Sequence, residues 1–464
     1  MRGVPLQATI GPMRSAFCLN TKRKRIFDTF VLDGLDGFTT HLCKIQRKTE
    51  FMVDIIKTIS WTISFILTLY TSYFIFVSLF ALFPQKRREK FQPKNKFAVV
   101  IPARNEELVI GNLIDSLQEQ KYPRSLFDII VIPNNCTDDT RQVAISKGTK
   151  IFDCKGTIRS KGDALHEYFD SVIKSDDAYD GFCIFDADNV ASEDFLSAMN
   201  DAICRGDRVG QGFRGSKNPY DTPISSCYSI YYYIVNRFYN RARGVMNLSG
   251  MINGSGFMVC ADIIKNQGGW HTETMTEDIE FTTKCVLSGE KVRWVPDAIF
   301  YDEQPLTFEQ SWKQRKRWST GTIQCSKLYV TQLAKNAATQ KSVSCLDLLM
   351  FFQGPLMQIL SFASIIFSII LTLLCVEYDY FPQTDVYFWT FLSLPSSYFL
   401  STALAYAVVL MEKKKASKMF GGIIAFWFFI LSWLPINVMC LFKKQTEWTQ
   451  IKHIRAVKIS EVDL

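Results

Sequence analysis

The sequence predicts an α/β domain on a mostly parallel sheet, set between membrane-spanning helices, one before it and about three after. Three observations carry this. Four stretches run without a charged residue: Thr58–Phe83, Leu348–Val376, Val386–Met411 and Met419–Phe442. Between the first two lies a region, 84–347, of ordinary soluble composition. Within it, short apolar runs alternate with stretches of helical spacing. The 464 residues also exceed what one core organises. An apolar content of 48% excludes a disordered chain. A net charge of +8 is too even for a nucleic-acid partner, but it suits basic flanks beside a bilayer.

A helix crosses a bilayer with roughly 20 apolar residues, so each of the four stretches is long enough. The first is assigned to 52–83. It starts too deep in the chain for a cleavable signal and ends Ala81-Leu82-Phe83-Pro84, without a small-residue cleavage site. The other three fill 348–442. Lys86, Arg87, Arg88, Lys90, Lys94 and Lys96 follow the first span against a lone Glu89, which places the 84–347 domain in the cytoplasm of a multi-pass cell-membrane protein. The acidic loop 377–385 and the Lys-rich loop 412–418 agree with that orientation.

Two regions resist it. Residues 1–51 hold nine Lys/Arg and four Asp/Glu yet would lie outside, so they are expected to be unstructured or spurious, with Met52 as the true start. Three spans after the domain would also put the basic tail, 443–464, outside. Either the last span is re-entrant, or the 348–376 segment is split at Gln353-Gly354-Pro355. Thirteen Cys occur without a CxxC pair, as in a reduced compartment with neither disulfides nor a zinc site.

Inside the domain, Phe97–Ile101 reads as a strand. Glu106–Gln120 follows as a helix with Val109, Leu113 and Leu117 on one face. Phe127–Ile132 is the second strand, closed by the polar loop Asn134–Thr140. Ile151-Phe152 is a weak third. Lys161–Lys174 is helical, Phe182–Phe185 a strand, Ser192–Cys204 a helix and Val209–Phe213 a strand. Parallel sheets bind ligands beyond the carboxyl ends of their strands. The polar clusters sit at those ends. Neither a phosphate-loop nor a dinucleotide fingerprint occurs.

Chemistry concentrates in four places. Asp186-Ala187-Asp188 follows an apolar strand, where two carboxylates can hold a hard divalent cation; a bare D-x-D elsewhere would be a surface turn. Arg104, Glu106, Asn134 and Asp138 stand at the ends of the first two strands, beside helix N-termini suited to a nucleotide, though such residues also cap helices. Thr276-Glu277-Asp278 opens an amphipathic helix, a place where acids commonly complement the dipole. Gln314, Arg317 and Trp318 follow the capping-box pattern Thr307-x-x-Gln310 and so ride on a helix, which also fits a basic interfacial anchor.

These motifs, in order, resemble one family. They are Val-Val-Ile-Pro-Ala-Arg-Asn-Glu-Glu from Val99, Asn-Cys-Thr-Asp-Asp-Thr from Asn135, Lys-Gly-Asp-Ala-Leu from Lys161, Phe-Asp-Ala-Asp from Phe185, Gly-Ser-Gly-Phe from Gly254, Thr-Glu-Asp from Thr276 and Gln-x-x-Arg-Trp from Gln314. The chain is similar to membrane-embedded family 2 glycosyltransferases, the group of hyaluronan, chitin, cellulose and poly-N-acetylglucosamine synthases. The resemblance implies a GT-A-type nucleotide-binding fold and inverting transfer from a UDP-sugar, UDP-GlcNAc or UDP-Glc, that extends a β-linked polysaccharide. It implies Asp186 near the nucleotide, Asp188 with Asp186 on Mg²⁺ or Mn²⁺, and Asp278 as catalytic base. Gln314, Arg317 and Trp318 would hold acceptor and diphosphate, and Asp138 and Lys161 would touch the nucleotide. Asn134 stands where many relatives carry Asp, and one span precedes the domain where several relatives have two. The implied partners are the UDP-sugar, a carbohydrate or lipid-linked acceptor, the bilayer and accessory export proteins. Two alternatives stay open: transfer of a single sugar to a lipid, and an inactive nucleotide-sugar-binding subunit.

Overall fold

The computed structural model describes residues 36–85, 88–175, 178–377, 383–442, 453 and 455–462. Residues 1–35, 86–87, 176–177, 378–382 in the acidic loop, and 443–452, 454 and 463–464 of the tail lie outside the described residues.

The first helix, α1, runs Asp36–Leu79. It takes in 36–51, expected to be unstructured, because each added residue extends a formed helix at the gain of one hydrogen bond. The domain then opens with β1 (Phe97–Ala103), fully buried, followed by α2 (Ile110–Gln118), β2 (Phe127–Pro133), α3 (Thr140–Ser146) and β3 (Lys150–Ile151). Next come α4 (Lys161–Lys174), β4 (Gly181–Ile184), β5 (Val190–Ala191), α5 (Phe195–Cys204) and β6 (Val209–Ser216). Helix α6 (Pro223–Ile234) continues through a π-helical stretch, Val235–Arg241. Then follow β7 (Phe257–Cys260), α7 (Ala261–Asn266), α8 (Glu277–Leu287) and β8 (Val292–Asp302).

The eight strands form one sheet in the order β3-β2-β1-β4-β7-β6-β8-β5. β3, β2, β1 and β4 are parallel, as expected. The sheet is mixed beyond them, because β7 enters antiparallel to both β4 and β6. Each buried aliphatic or aromatic side chain contributes about 1.5–3 kcal/mol. β1 alone buries Phe97, Val99, Val100 and Ile101 completely, so the strands fix the platform on which the loops stand.

After the sheet, α9 (Phe308–Thr339) starts at the expected capping box: Thr307 accepts from Gln310 N–H, and the Gln310 side chain accepts from Thr307 N–H. The apolar part follows as α10 (Val343–Phe352), α11 (Gly354–Glu377), α12 (Gln383–Met411), α13 (Phe420–Leu431) and α14 (Trp433–Phe442). Among the described residues, Phe51–Leu82 and Phe420–Phe442 are each long and apolar enough to cross a membrane. A third qualifies if α10 and the start of α11, bent by 45° at Gln353, form one span. The break falls at the Gln353-Gly354-Pro355 interruption. Pro395–Met411 is apolar but shorter.

Candidate active site

The carboxyl end of β4 runs directly into Asp186-Ala187-Asp188, and the turn is tied from below. Ser255 Oγ accepts from Asp186 N–H (2.9 Å) and donates to Asn189 Oδ1. Asn189 Nδ2 donates to Asp302 Oδ1 at 2.8 Å. This geometry explains the Gly-Ser-Gly motif: Gly256 has φ +59°, and a Cβ there would sit 2.1 Å from the Phe300 ring. Lys161, at the start of α4, donates to Asp186 Oδ1 and to Gly254 O, both at 2.6 Å. Burial alone would raise the Asp186 carboxyl; the Lys161 ammonium outweighs it and holds the group below the usual carboxylate range. Asp188 goes the other way, held up by burial and by Asp186 against the pull of His453. Lys217 Nζ binds the main-chain oxygen of Asp188 (2.8 Å), not its carboxylate.

Asp278 stands in the first turn of α8. Burial and then the neighbouring Glu277 charge raise its carboxyl to about 7, against the Ile279 N–H, Lys161 and Arg317. Glu277 itself lies 3.9 Å from Lys161 Nζ. Helix α9 packs tightly on this turn, since a Cβ at Gly321 would lie 2.3 Å from Thr276 Oγ1. Gln314, Arg317 and Trp318 on α9 therefore face the same space. The Arg317 charge lowers both Asp186 and Asp278. Gln314 Oε1 is buried without a protein hydrogen bond. Trp318 stacks on Tyr231 (6.3 Å) and Trp433 (6.3 Å).

A single cavity of about 1480 Å³ joins these groups. Its lining includes Arg104, Glu106, Asn134, Asp186, Asp188, Asp278, Gln314, Arg317 and Trp318. It then continues between the apolar helices, past Tyr70 and Phe74 of α1, Phe351 of α10 and Trp433 of α14.

The model for glycosyltransferase like family 2 matches residues 93–321, the span that builds this sheet and its loops. The chain carries a family 2 glycosyltransferase domain. Over 382 residues it is 26% identical to the probable glycosyltransferase YdaM of Bacillus subtilis, covering 79% of this chain and 86% of that protein. It is 26% identical over 281 residues to the β-monoglucosyldiacylglycerol synthase of Nostoc sp. and 23% over 240 to the poly-β-1,6-N-acetyl-D-glucosamine synthase of Staphylococcus epidermidis. Those two matches span 57% and 56% of the relatives' lengths. The solved mannosyltransferase of Pyrobaculum calidifontis, in complex with GDP-Man and Mn²⁺, shares the fold at 15% identity. Its TM-score is 0.56, covering 84% of this chain and all of that one.

Ten of the eleven site residues expected in the glycosyltransferase line the cavity, Lys161 among them. Asp138 does not. Its carboxylate accepts from Glu107 N–H (3.1 Å) and from Thr140 N–H (3.1 Å), so it pins the loops after β1 and β2 to each other. Asn134 is buried and donates to Ala103 O at 3.1 Å. Three cavity residues had no sequence signal attached to them. Arg214, a charge inside β6, is ion-paired with Asp302. Burial holds Asp302 at about 7, against the Arg214 charge. The third is His453, whose Nδ1 lies 3.0 Å from Glu106 Oε1. In the sequence its tail stands out only as basic; the signal available is rarity, His453 being one of four His in the chain.

Proposed function

We propose that this glycosyltransferase takes a sugar from a UDP-sugar, UDP-GlcNAc or UDP-Glc, and transfers it with inversion to extend a β-linked polysaccharide, its domain on the cytoplasmic face of the cell membrane. The observation that carries this reading is the single cavity, whose lining brings together the Asp186-Ala187-Asp188 turn, Asp278, Trp318 and residues of the apolar helices. The relatives named above as a glycolipid synthase and a polysaccharide synthase support it.

The donor's nucleotide would lie against Arg104, Asn134 and the loops that Asp138 pins, with its diphosphate at Asp186 and Asp188. Carboxylate oxygens at a strand end, Asp188 buried and Asp186 half-buried, fit a hard divalent cation, Mg²⁺ or Mn²⁺. Such an ion, when bound, supplies positive charge to the leaving diphosphate. Arg317 adds planar, bidentate donors to the same phosphate oxygens. Asp278 takes the proton of the attacking acceptor hydroxyl, and a carboxyl near 7 suits that task at neutral pH. Trp318 offers its indole face to the acceptor sugar, and the unpaired Gln314 oxygen accepts from a sugar hydroxyl.

A second reading, transfer of one sugar to a lipid, is favoured by the apolar part of the lining, Phe74, Phe351 and Ile430. Membranes incubated with labelled UDP-sugars and a divalent cation decide between them. A ladder of sugar polymer, lost on chelation, is the expected product. A lipid bearing one sugar selects the second reading, and transfer from a GDP-sugar but from no UDP-sugar overturns both.

A further inference from the structure

We propose that His166, Asp170 and His271 form a separate metal site, a Zn²⁺ clip outside the active site that fastens α4 to the loop before α8. One donor atom from each of the three residues lies within 4.8 Å of those of the other two. None of the three lines the active-site cavity. The cluster gathers two of the chain's four His. Since α4 begins at Lys161 and α8 holds Asp278, the clip joins from outside two elements that meet at the active site.

Local structure brings each ligand in. His166 and Asp170 stand four residues apart on α4, so they share one face of that helix. His166 Nε2 already lies 3.6 Å from Asp170 Oδ2. His271 arrives on a tight turn, Gly268-Gly269, whose φ of +73° and +125° suit glycine alone. Gly269 also makes room, because a Cβ there would stand 2.9 Å from Asp170 Oδ1. The next residue, Trp270, is fully buried against Phe281 of α8 (4.1 Å) and Phe169 of α4 (5.8 Å). Lys284 of α8 donates to His271 O. The turn is thus held from both helices, and the two imidazole rings come to 4.9 Å, centre to centre.

The donors select the ion. His166 Nδ1 lies 3.0 Å from Trp270 O, and His271 Nε2 lies 3.0 Å from Gly268 O. A ring nitrogen that faces a carbonyl carries the proton, which leaves His166 Nε2 and His271 Nδ1 with lone pairs; such outer contacts orient metal-binding histidines. Because His271 is exposed, its ring turns toward an ion without displacing packed neighbours. Two imidazole nitrogens and a carboxylate oxygen suit Zn²⁺, which takes four ligands in a tetrahedron, the fourth here being water. At bonds of about 2.0–2.1 Å, tetrahedral ligands stand about 3.3 Å apart. The His166–Asp170 pair is near that already, and the widest separation closes by about 1.5 Å.

The test is Zn²⁺ titration of the purified full-length protein in excess Mg²⁺, which holds to oxygen sites. The wild type should retain Zn²⁺ and unfold at a higher temperature with it. Co²⁺ in its place should give the strong visible absorption of a four-coordinate ion. His166→Ala and His271→Ala should each weaken Zn²⁺ by about 10-fold or more, the scale reached even by losses outside the direct ligands. His271→Cys supplies a thiolate instead. It should keep the ion and add a sulfur-to-cobalt charge-transfer band, so a poorly folding alanine variant does not end the test. Asp188→Ala should bind Zn²⁺ as the wild type does. A wild type that retains no Zn²⁺ in Mg²⁺, or a His166→Ala/His271→Ala double variant that holds it equally well, overturns the inference. So does Zn²⁺ lost in Asp188→Ala but kept in His271→Ala, which puts the ion among the active-site carboxylates.

Discussion

Asp278 allows the mechanism to be tested through pH. Its carboxyl is raised to about 7, so it is mostly protonated at pH 6 and mostly ionised at pH 8. Only the ionised form accepts a proton. A base with that pKa is roughly 9% ionised one unit below it and roughly 91% one unit above, so the transfer rate should rise about 10-fold between pH 6 and 8. Asp302 is also held at about 7, and the limb alone does not identify the base. Glu277 separates them. Its charge helps raise Asp278 and is not among the causes acting on Asp302. Glu277→Gln should therefore shift the limb to lower pH. Asp278→Asn keeps the shape but takes no proton, so the rate should fall by about 10²–10⁴-fold with donor affinity nearly unchanged. The assay is UDP release at saturating donor across pH 5.5–8.5, with donor affinity measured separately. A limb that stays in place in Glu277→Gln, or an Asp278→Asn variant that loses donor affinity along with rate, would refute Asp278 as the base.

Two further outcomes follow from the packing. Gly256→Ala puts a Cβ into the Phe300 ring at φ +59°, which adds backbone strain of about 1–3 kcal/mol to the cost of displacing a core ring; thermal unfolding should shift down by several degrees, and an unshifted midpoint would show that the motif glycine is not needed sterically. Trp318→Ala removes the indole that stacks with Tyr231 and Trp433, so product should shorten while donor binding persists; lower membrane insertion or expression with unchanged product length would mark Trp318 as an anchor only.

Much of the site was legible because its residues stand at strand ends within a few positions of an apolar run. Asp186 and Asp188 follow Phe182–Phe185, and Thr307 with Gln310 announce α9 by a local hydrogen-bond pattern. β7 and β8 carried weaker signals. β7 is four residues long, and nothing local says that it enters antiparallel between β4 and β6. β8 contains Pro296 and Asp297, and its register with β6 shifts between Gly212 and Phe213, which breaks the alternation that marks a strand. His453 lies 347 residues from Glu106, and no periodicity reaches across that distance.

The same contact bears on how the chain is threaded. The sequence left a conflict between three spans after the domain and a basic tail. With His453 beside Glu106 and Val462 on β8, the tail ends on the side of the domain. On the membrane reading proposed above, an even number of crossings between Asp347 and His453 would then be required. The loop after α12 also touches the domain, since Arg237 pairs with Glu412 at 2.8 Å and Lys418 lies over the Tyr220 ring. On that membrane reading, helices α11 and α12 would then make one excursion out and back. The 420–442 segment is held along its length: Gly422 lies against Ser226, Arg315 donates to Phe429 O and Ser432 Oγ, and Cys440 Sγ donates to Lys316 O. Leaving the domain would strip the buried Arg315 guanidinium of its two acceptors on that segment, an uncompensated charge that costs about 3–5 kcal/mol by analogy with broken buried pairs. Apolar enough to span, the segment is instead tied at both ends and its middle to the domain, and so Trp433 and Asn437 come to line the cavity.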